Sequence, residues 1–413
     1  MLSQRGDYLQ KVTKTILILI LLFIILYAFS NSYSYDNIDN LAYVVAMGID
    51  STETDKIKVS FQFTDTSSFS NEGGSGNNST IINTVEAKSI ESATNLLNSY
   101  IGKNVNLAHC KVIVFSEEVA KTGLSDYIYS LINDSQIRPT SNIVISRCDA
   151  KYYMENSISK YEKILTKYYD VFPNSADYTG YISDVTLGEF FNQMQDKSSN
   201  PIAILGGINT ETSDVASGDT TDANILANQS TIVGERGTEN IGLAVFSEDH
   251  LIGELTALEA LCHSIITNEA DSFLISIPNP KDDKTSIDLS INQYKKTKVD
   301  VDVSSGSPYI TIDLYLFAKV LSVDTNTDYL DDDYLNSIRN ANSTYLSSRV
   351  TEYLYKTSKE FKSCVDDFDK FAVKKFLTNK DWETFNWKSS YPNAFFKVNV
   401  NTKVNSSLLL TES

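Results

Sequence analysis

The sequence predicts an α+β protein of more than one domain, with mixed and antiparallel sheets covered by helices, behind one N-terminal transmembrane helix. Three observations lead there. Residues 16–26 read ILILILLFIIL, eleven consecutive Ile, Leu or Phe. Beyond them, stretches that alternate apolar and polar residues interleave with stretches whose apolar residues recur every three or four, the periods of strand and helix. The roughly 380 residues after the apolar segment also exceed what one hydrophobic core organises, so two or three domains are expected.

The apolar segment comes first. Ile16–Phe29 is uncharged and ~21 Å long as a helix, short of a ~30 Å hydrocarbon core. Extending it to Thr13–Ser32 makes up the length, because Lys14 can snorkel and Tyr27 suits the interface. Arg5, Lys11 and Lys14 precede the run against Asp7 alone, while Asp36, Asp39 and Asp50 follow it. The N-terminus is therefore expected inside and the bulk outside. Residues 1–32 read as a cytoplasmic tip and retained anchor. Cleavage after Ser30 is the competing outcome, since Ala28 and Ser30 are the small residues a signal peptidase inspects.

The next unit is expected over 36–208, with a subdomain break near 180. LAYVVAMGI (41–49) is a Val-rich apolar run of strand length, and IKVSFQFTD (57–65) alternates as its antiparallel neighbour. SSFSNEGGSGNNST (67–80) reads as a flexible loop, without a G-x-G-x-x-G or Walker pattern that would make it a phosphate cradle. SIESATNLLNSYIG (89–102) has a Ser cap, helical spacing and a closing Gly. The apolar runs after Cys110 and before Cys148 flank a helix-like stretch, so two parallel strands are joined by a crossover. Parallel strands hold those cysteines ~20 Å apart, too far for a disulfide, and free, mostly buried thiols are expected. DAKYYMENSIS and TLGEFFNQMQ follow as short helices.

Residues 209–228 lack apolar periodicity and read as a linker or insert. A C-terminal unit is expected over 229–410. It opens with a meander that turns at Glu248-Asp249-His250, then a helix after a Thr cap in TALEALCHSIIT. SIDLSIN, KVDVDVS and YITIDLYLF each alternate as strands. From Asp332 to about Cys364, Leu335, Ile338, Tyr345, Leu346, Val350, Tyr353, Leu354 and Phe361 keep helical spacing. VDDFDKFAVKKFL continues as a helix and NAFFKVNVNTKV as a strand.

Composition limits the chemistry. The chain carries a formal charge of −18, and the part beyond residue 30 holds 32 basic and 52 acidic residues. Such a surface is expected to repel nucleic acid and anionic headgroups alike. Three histidines are few for an enzyme or metal site. His109 adjoins Cys110 and His263 adjoins Cys262, but immediate neighbours point in different directions and ligate one ion poorly. Asp324, Asn326 and Asp328 occupy the first, third and fifth places of an EF-hand-like loop. Its sixth place holds Tyr329 instead of Gly and its twelfth Leu335 instead of Glu. Asp331–Asp333 read better as an acidic first turn complementing a helix dipole. No nucleophile elbow or other catalytic motif occurs. Catalytic, cofactor-binding and metal residues are each assigned as none, and no cofactor is expected.

Four segments in order carry a resemblance: LAYVVAMGID (41–50), NLAHCKVIVFSEEVAKTGLSDYIYSLINDSQIRPTSNIVIS (106–146), GLAVFSEDHLIGELTALEA (242–260), and VDDFDKFAVKKF…DWETFNW…YPNAFFKVNVNTKV within 365–404. Together they resemble the C subunit of nutrient germinant receptors of endospore-forming bacteria, the Ger(x)C family, over about 36–410. The resemblance implies three α+β domains and a non-enzymatic role. It implies an extracytoplasmic subunit at the spore inner membrane, assembled with polytopic A and B subunits and responding indirectly to small-molecule nutrients. It carries over no binding residues. One departure is chemical: Ser34 stands before Tyr35-Asp36 where the family places a lipidated cysteine, and no Cys precedes Cys110. An anchored ligand-binding module and a cell-wall hydrolase are the other classes to weigh. A concave pocket or a carboxylate pair in a cleft would discriminate them.

Overall fold

The computed structural model of the chain describes residues 2–30, 40–64, 80–157, 165–209, 223–232, 234, 237–323 and 332–405. Leu2–Ser30 is a single helix, α1, of 29 residues. Every side chain from Ile16 to Tyr27 is exposed, and none packs into the cores described below. Among the described residues no helix is long and apolar enough to cross a membrane.

Among the described residues the first sheet has nine strands: β1 (Leu41–Ser51), β2 (Ile57–Thr64), β3 (Thr80–Ala87), β4 (Asn104–Asn106), β5 (Val112–Ser116), β6 (Asn142–Ser146), β7 (Ile202–Ile208), β8 (Thr238–Ser247) and β9 (His250–Leu255). Their order is β3-β2-β1-β5-β6-β7-β8-β9, with β4 beside β1. β1, β5, β6 and β7 run parallel, and the flanking pairs are antiparallel. Strands covered on both faces need apolar side chains in both directions, which is why VIVFS and NIVIS are buried throughout. The covering helices are α2 (Ile90–Ile101), α3 (Glu117–Thr122), α4 (Ser125–Asn133), α5 (Ala150–Asn156), α6 (Leu165–Val171), α7 (Ser175–Thr179) and α8 (Leu187–Gln195). Ala93, Leu97, Ile128, Leu131 and Phe190 pack one face; Tyr153, Met154, Tyr168, Tyr169 and Phe172 pack the other.

Two details of β1 tie sequence to packing. A bulge between Val44 and Ala46 breaks the alternation, so Val45 and Ala46 both join the α5–α7 side. A Cβ on Gly48 would lie 2.7 Å from Met154 Cε, so the glycine lets α5 rest on the strand. Asp50 then caps that helix from outside it: Ala150 N–H donates to Oδ1 at 2.6 Å and Lys151 N–H to Oδ2 at 3.1 Å. Burial raises the Asp50 pKa against these two backbone donors.

The second sheet orders β10 (Ser272–Asn279), β11 (Asp282–Asp302), β12 (Tyr309–Val323) and β13 (Phe395–Asn405) as β10-β11-β12-β13. The first three are antiparallel, and β13 returns parallel to β12. α9 (Ala257–Thr267) follows β9. α10 (Asp332–Tyr355) lies in the crossover to β13, followed by the short helices α11 (Asp369–Ala372), α12 (Asn379–Phe385) and α13 (Trp387–Ser390). The inner face of the sheet is built by Ile287, Leu289, Ile291, Ile310, Ile312, Leu314 and Leu316, joined with Ile338, Leu346, Val350 and Leu354 of α10. Leu258, Leu261 and Ile265 of α9 belong to the same cluster, which also reaches the first sheet.

The meander over 238–255, expected to open the C-terminal unit, pairs through β8 with β7 and completes the first sheet. Other expectations are refined. Part of the expected linker is packed: Ala257 and Leu258 N–H donate to the carbonyls of Ile225 and Ala223, and Ala227 N–H donates to Ile241 O. SIDLSIN and KVDVDVS are one continuous strand of 21 residues, with register irregularities between Gln293 and Lys298. The long helix stops at Tyr355 and passes into a π-turn over Lys356–Glu360. Only Asp369–Ala372 is α-helical in the segment expected to follow: Asp367 takes a left-handed backbone angle of +56° before it, and a 3-10 turn over Val373–Lys375 follows. The Gly/Ser/Asn-rich stretch lies almost wholly outside the described residues, as do Asp324, Asn326, Asp328, Tyr329 and Asp331. Asp332 and Asp333 do stand in the first turn of α10.

Candidate functional site

The residues of GLAVFSEDHLIGELTALEA converge where the two sheets meet. Glu248 takes φ +60° at the tip of the β8–β9 hairpin. The next residue, Asp249, receives Ser125 N–H on Oδ2 at 3.1 Å and Leu124 N–H on its carbonyl at 3.0 Å. The acidic turn thus holds the start of α4. Gly253 leaves room for Phe361, whose ring would lie 2.3 Å from an added Cβ. Thr256 and Glu259 form a reciprocal capping box at the start of α9.

Charge continues the junction. Arg147, just past β6, pairs with Glu254 at 3.2 Å. Lys356, at the end of α10, bonds both carboxylate oxygens of Glu259, at 2.7 and 2.9 Å, and the Glu254 carbonyl at 3.1 Å. Burial raises the Glu254 pKa, opposed by Arg147. Arg147 thus braces β9 within the first sheet, and Lys356 ties β9 and α9 to the end of α10.

Beneath them lies a buried polar network. His263 Nδ1 is 2.9 Å from Asp366 Oδ1, and the Tyr353 hydroxyl donates to the same oxygen at 2.8 Å. His263 Nε2 approaches Glu269 at 3.8 Å, and Glu269 also accepts from the Ser183 hydroxyl. Burial pulls the His263 pKa down, but the Asp366 hydrogen bond and the charges of Glu269, Asp366 and Asp367 outweigh it, and the net shift is upward. Burial, then Asp366, drives the Tyr353 hydroxyl well above its ordinary value. A cleft of about 430 Å³ adjoins the network, lined in part by Asp177, Asp184, Glu189, His263, Glu269 and Lys370.

His109 and the cysteines weighed from sequence land in ordinary packing. His109 meets the Tyr43 ring edge-on at 5.0 Å. Cys110 is buried, which pushes its thiol up to about 12, and Cys262 is pushed higher still. All four cysteines are free, Cys110, Cys262 and Cys364 being buried. β5 and β6 are parallel, the arrangement that argued against a disulfide. Among the described residues no group of three or more His, Cys, Asp or Glu is placed to hold a metal ion. His263, set aside as a neighbour of Cys262, instead finds Asp366, 103 residues away. No spacing in the sequence signals that pairing.

Two sheets that share one apolar core and meet at a polar junction make up this α+β chain, and the comparisons give it a family. The profile described as spore germination protein N-terminal domain matches residues 34–206, and that described as spore germination B3/GerAC like, C-terminal, matches 241–407. The chain belongs to this spore germination family, the Ger(x)C family. It is 19% identical over 366 residues to the putative spore germination protein YfkR of Bacillus subtilis (strain 168), covering 86% of this chain and 87% of that protein. Its fold is similar to the crystal structure of the GerBC protein, with a TM-score of 0.53 at 16% identity, covering 87% of this chain and 96% of the other.

Proposed function

We propose that this chain is the non-catalytic, extracytoplasmic C subunit of a nutrient germinant receptor, acting with polytopic A and B subunits in the spore inner membrane. The observation that carries the reading is the order of the two family domains along one chain behind the apolar helix. In this reading α1 is a single-pass anchor with the bulk of the chain on the outer face. It stays on the protein in this reading, because cleavage after Ser30 would leave the chain without an anchor and without a junction cysteine to carry lipid. Lys356–Glu259 and His263–Asp366 fasten α9 to the segment after α10, an arrangement suited to passing a conformational signal rather than to bond chemistry. The acidic cleft favours a second reading, an anchored extracytoplasmic ligand-binding module. Deleting the gene separates them. The receptor reading expects normal sporulation with germination slowed or lost for particular nutrients. Unchanged germination with every nutrient, in a strain without paralogues, would contradict it.

A further inference from the structure

Residues 370–380 read KFAVKKFLTNK, four lysines and no acid in a chain of net charge −18. Leu377 on this segment is 99% exposed, and Val373 is exposed beside it. The exposure sits on a braced turn. Phe376 packs against Trp382 at 5.4 Å and Phe385 at 5.2 Å, and Trp382 stacks on Trp387 at 5.9 Å. Phe376 N–H donates to Val373 O, and Thr378 Oγ1 caps α12 through Asp381 N–H. Those contacts turn Phe376 inward and leave Leu377 outward.

The turn is fixed to one end of the second sheet. Lys375 bonds Asp300 of β11 at 2.9 Å. Two residues along, Asp302 is the register partner of Tyr309, and Tyr309 of Phe395. Tyr309 and Phe395 are both exposed, and Lys397 stands next to them on β13 opposite Thr311. This end therefore shows Leu377, Val373, Tyr309 and Phe395 among Lys374, Lys380 and Lys397. Its carboxylates are Asp300, held by Lys375, Asp381, engaged by Thr378, and the exposed Asp302 and Glu383.

We propose that this end is a second membrane contact: Leu377 enters the headgroup–acyl boundary of an anionic bilayer while Lys374 and Lys380 meet lipid phosphates. A protruding apolar side chain beside lysines, with exposed Tyr309 and Phe395 at the same end of the sheet, matches the chemistry of that boundary. A flat protein partner would gain little from one projecting leucine. The overall negative charge does not forbid the contact. Charges more than ~8 Å away are largely screened at physiological salt, and locally Lys375 cancels Asp300 while Lys374, Lys380 and Lys397 offset Asp302, Asp381 and Glu383, so this end is near neutral where the chain as a whole is acidic. The proposal rests on the anchored reading above, which brings the chain to a membrane.

The test uses the full chain with a polarity-sensitive dye on Leu377→Cys in a Cys148→Ser background, the other thiols being buried. The chain is mixed with vesicles of phosphatidylcholine alone or with added phosphatidylglycerol, and flotation is read on the same samples. With phosphatidylglycerol the dye should shift blue and brighten, and brominated lipid should quench it. The pair Lys374→Glu and Lys380→Glu should reduce the engaged fraction, by roughly fivefold per lysine. The same dye on Leu96→Cys, an exposed position on α2, should stay aqueous. Flotation with the dye at 377 still aqueous would overturn the tip and leave the anchor standing. No flotation would overturn both, and burial of 377 only when polytopic subunits are added would show a protein partner instead.

Discussion

Replacing Asp366 with Asn keeps the shape of the buried network and removes its charge. Oδ1 of Asp366 accepts from His263 at 2.9 Å and from Tyr353 at 2.8 Å, and its side chain is fully buried. Hydrogen bonds to a charged group contribute about 1.5–3 kcal/mol and neutral ones about 0.5–1.5, so losing charge assistance on two bonds costs about 2–3 kcal/mol. The pH dependence follows from His263, whose pKa is raised in the folded chain. A raised histidine binds its proton more tightly when folded. Its stabilisation is therefore complete below the unfolded value of about 6.5 and is lost as pH rises through the folded value. Without the Asp366 charge the main raising influence disappears and burial disfavours the imidazolium. The Asn penalty should be largest below about pH 6.5 and shrink above it. Urea unfolding followed by tryptophan fluorescence, compared across that range, measures the difference. A penalty constant with pH, or one that grows as pH rises, would refute a charge-held network.

Two further substitutions probe the same region by different physics. Gly253→Ala places a Cβ 2.3 Å from the Phe361 ring, and overpacking of this kind should lower stability by about 1–3 kcal/mol in the same unfolding assay. Asp369→Asn should act in the opposite direction. Burial, with Asp196 and Asp367 nearby, raises the Asp369 pKa to about 6, and Oδ1 has no hydrogen-bond partner. A carboxyl raised this way takes up its proton more readily when folded, so its contribution falls as pH climbs from about 4 to 6. At pH 7 the Asn variant should be more stable by about 1–3 kcal/mol, a gain that fades below about pH 4.

What is legible in the sequence is local. The Ser89 and Thr256 caps sit where their helices begin, because a hydroxyl accepting a backbone N–H three residues ahead is a short-range device. β1 pairs antiparallel with β2 across a short turn. Partner choice over longer distances is not legible. β8 and β9 alternate like any meander, and nothing in their residues tells whether β7 or the second sheet offers the free edge. β3, β7 and β10 escape assignment from sequence for related reasons. TIINTVEA is a half-exposed edge, AILGGI is short and glycine-broken, and SFLISIPN carries a proline near its end. The His263–Asp366–Tyr353 network needs three segments brought together, so no motif announces it. Leu377 reads as one more helical apolar residue, and only the break in the helix after residue 375 leaves it in solvent.

The central claim is that this chain works as a membrane-held subunit among polytopic partners. Affinity purification of the tagged full chain from dormant-spore membranes, with mass analysis of its N-terminal peptide, tests that claim directly. The account predicts that two polytopic subunits co-purify and that the chain retains residues 1–30. Recovery of the chain alone from the soluble fraction, with an N-terminus at Asn31, would contradict it.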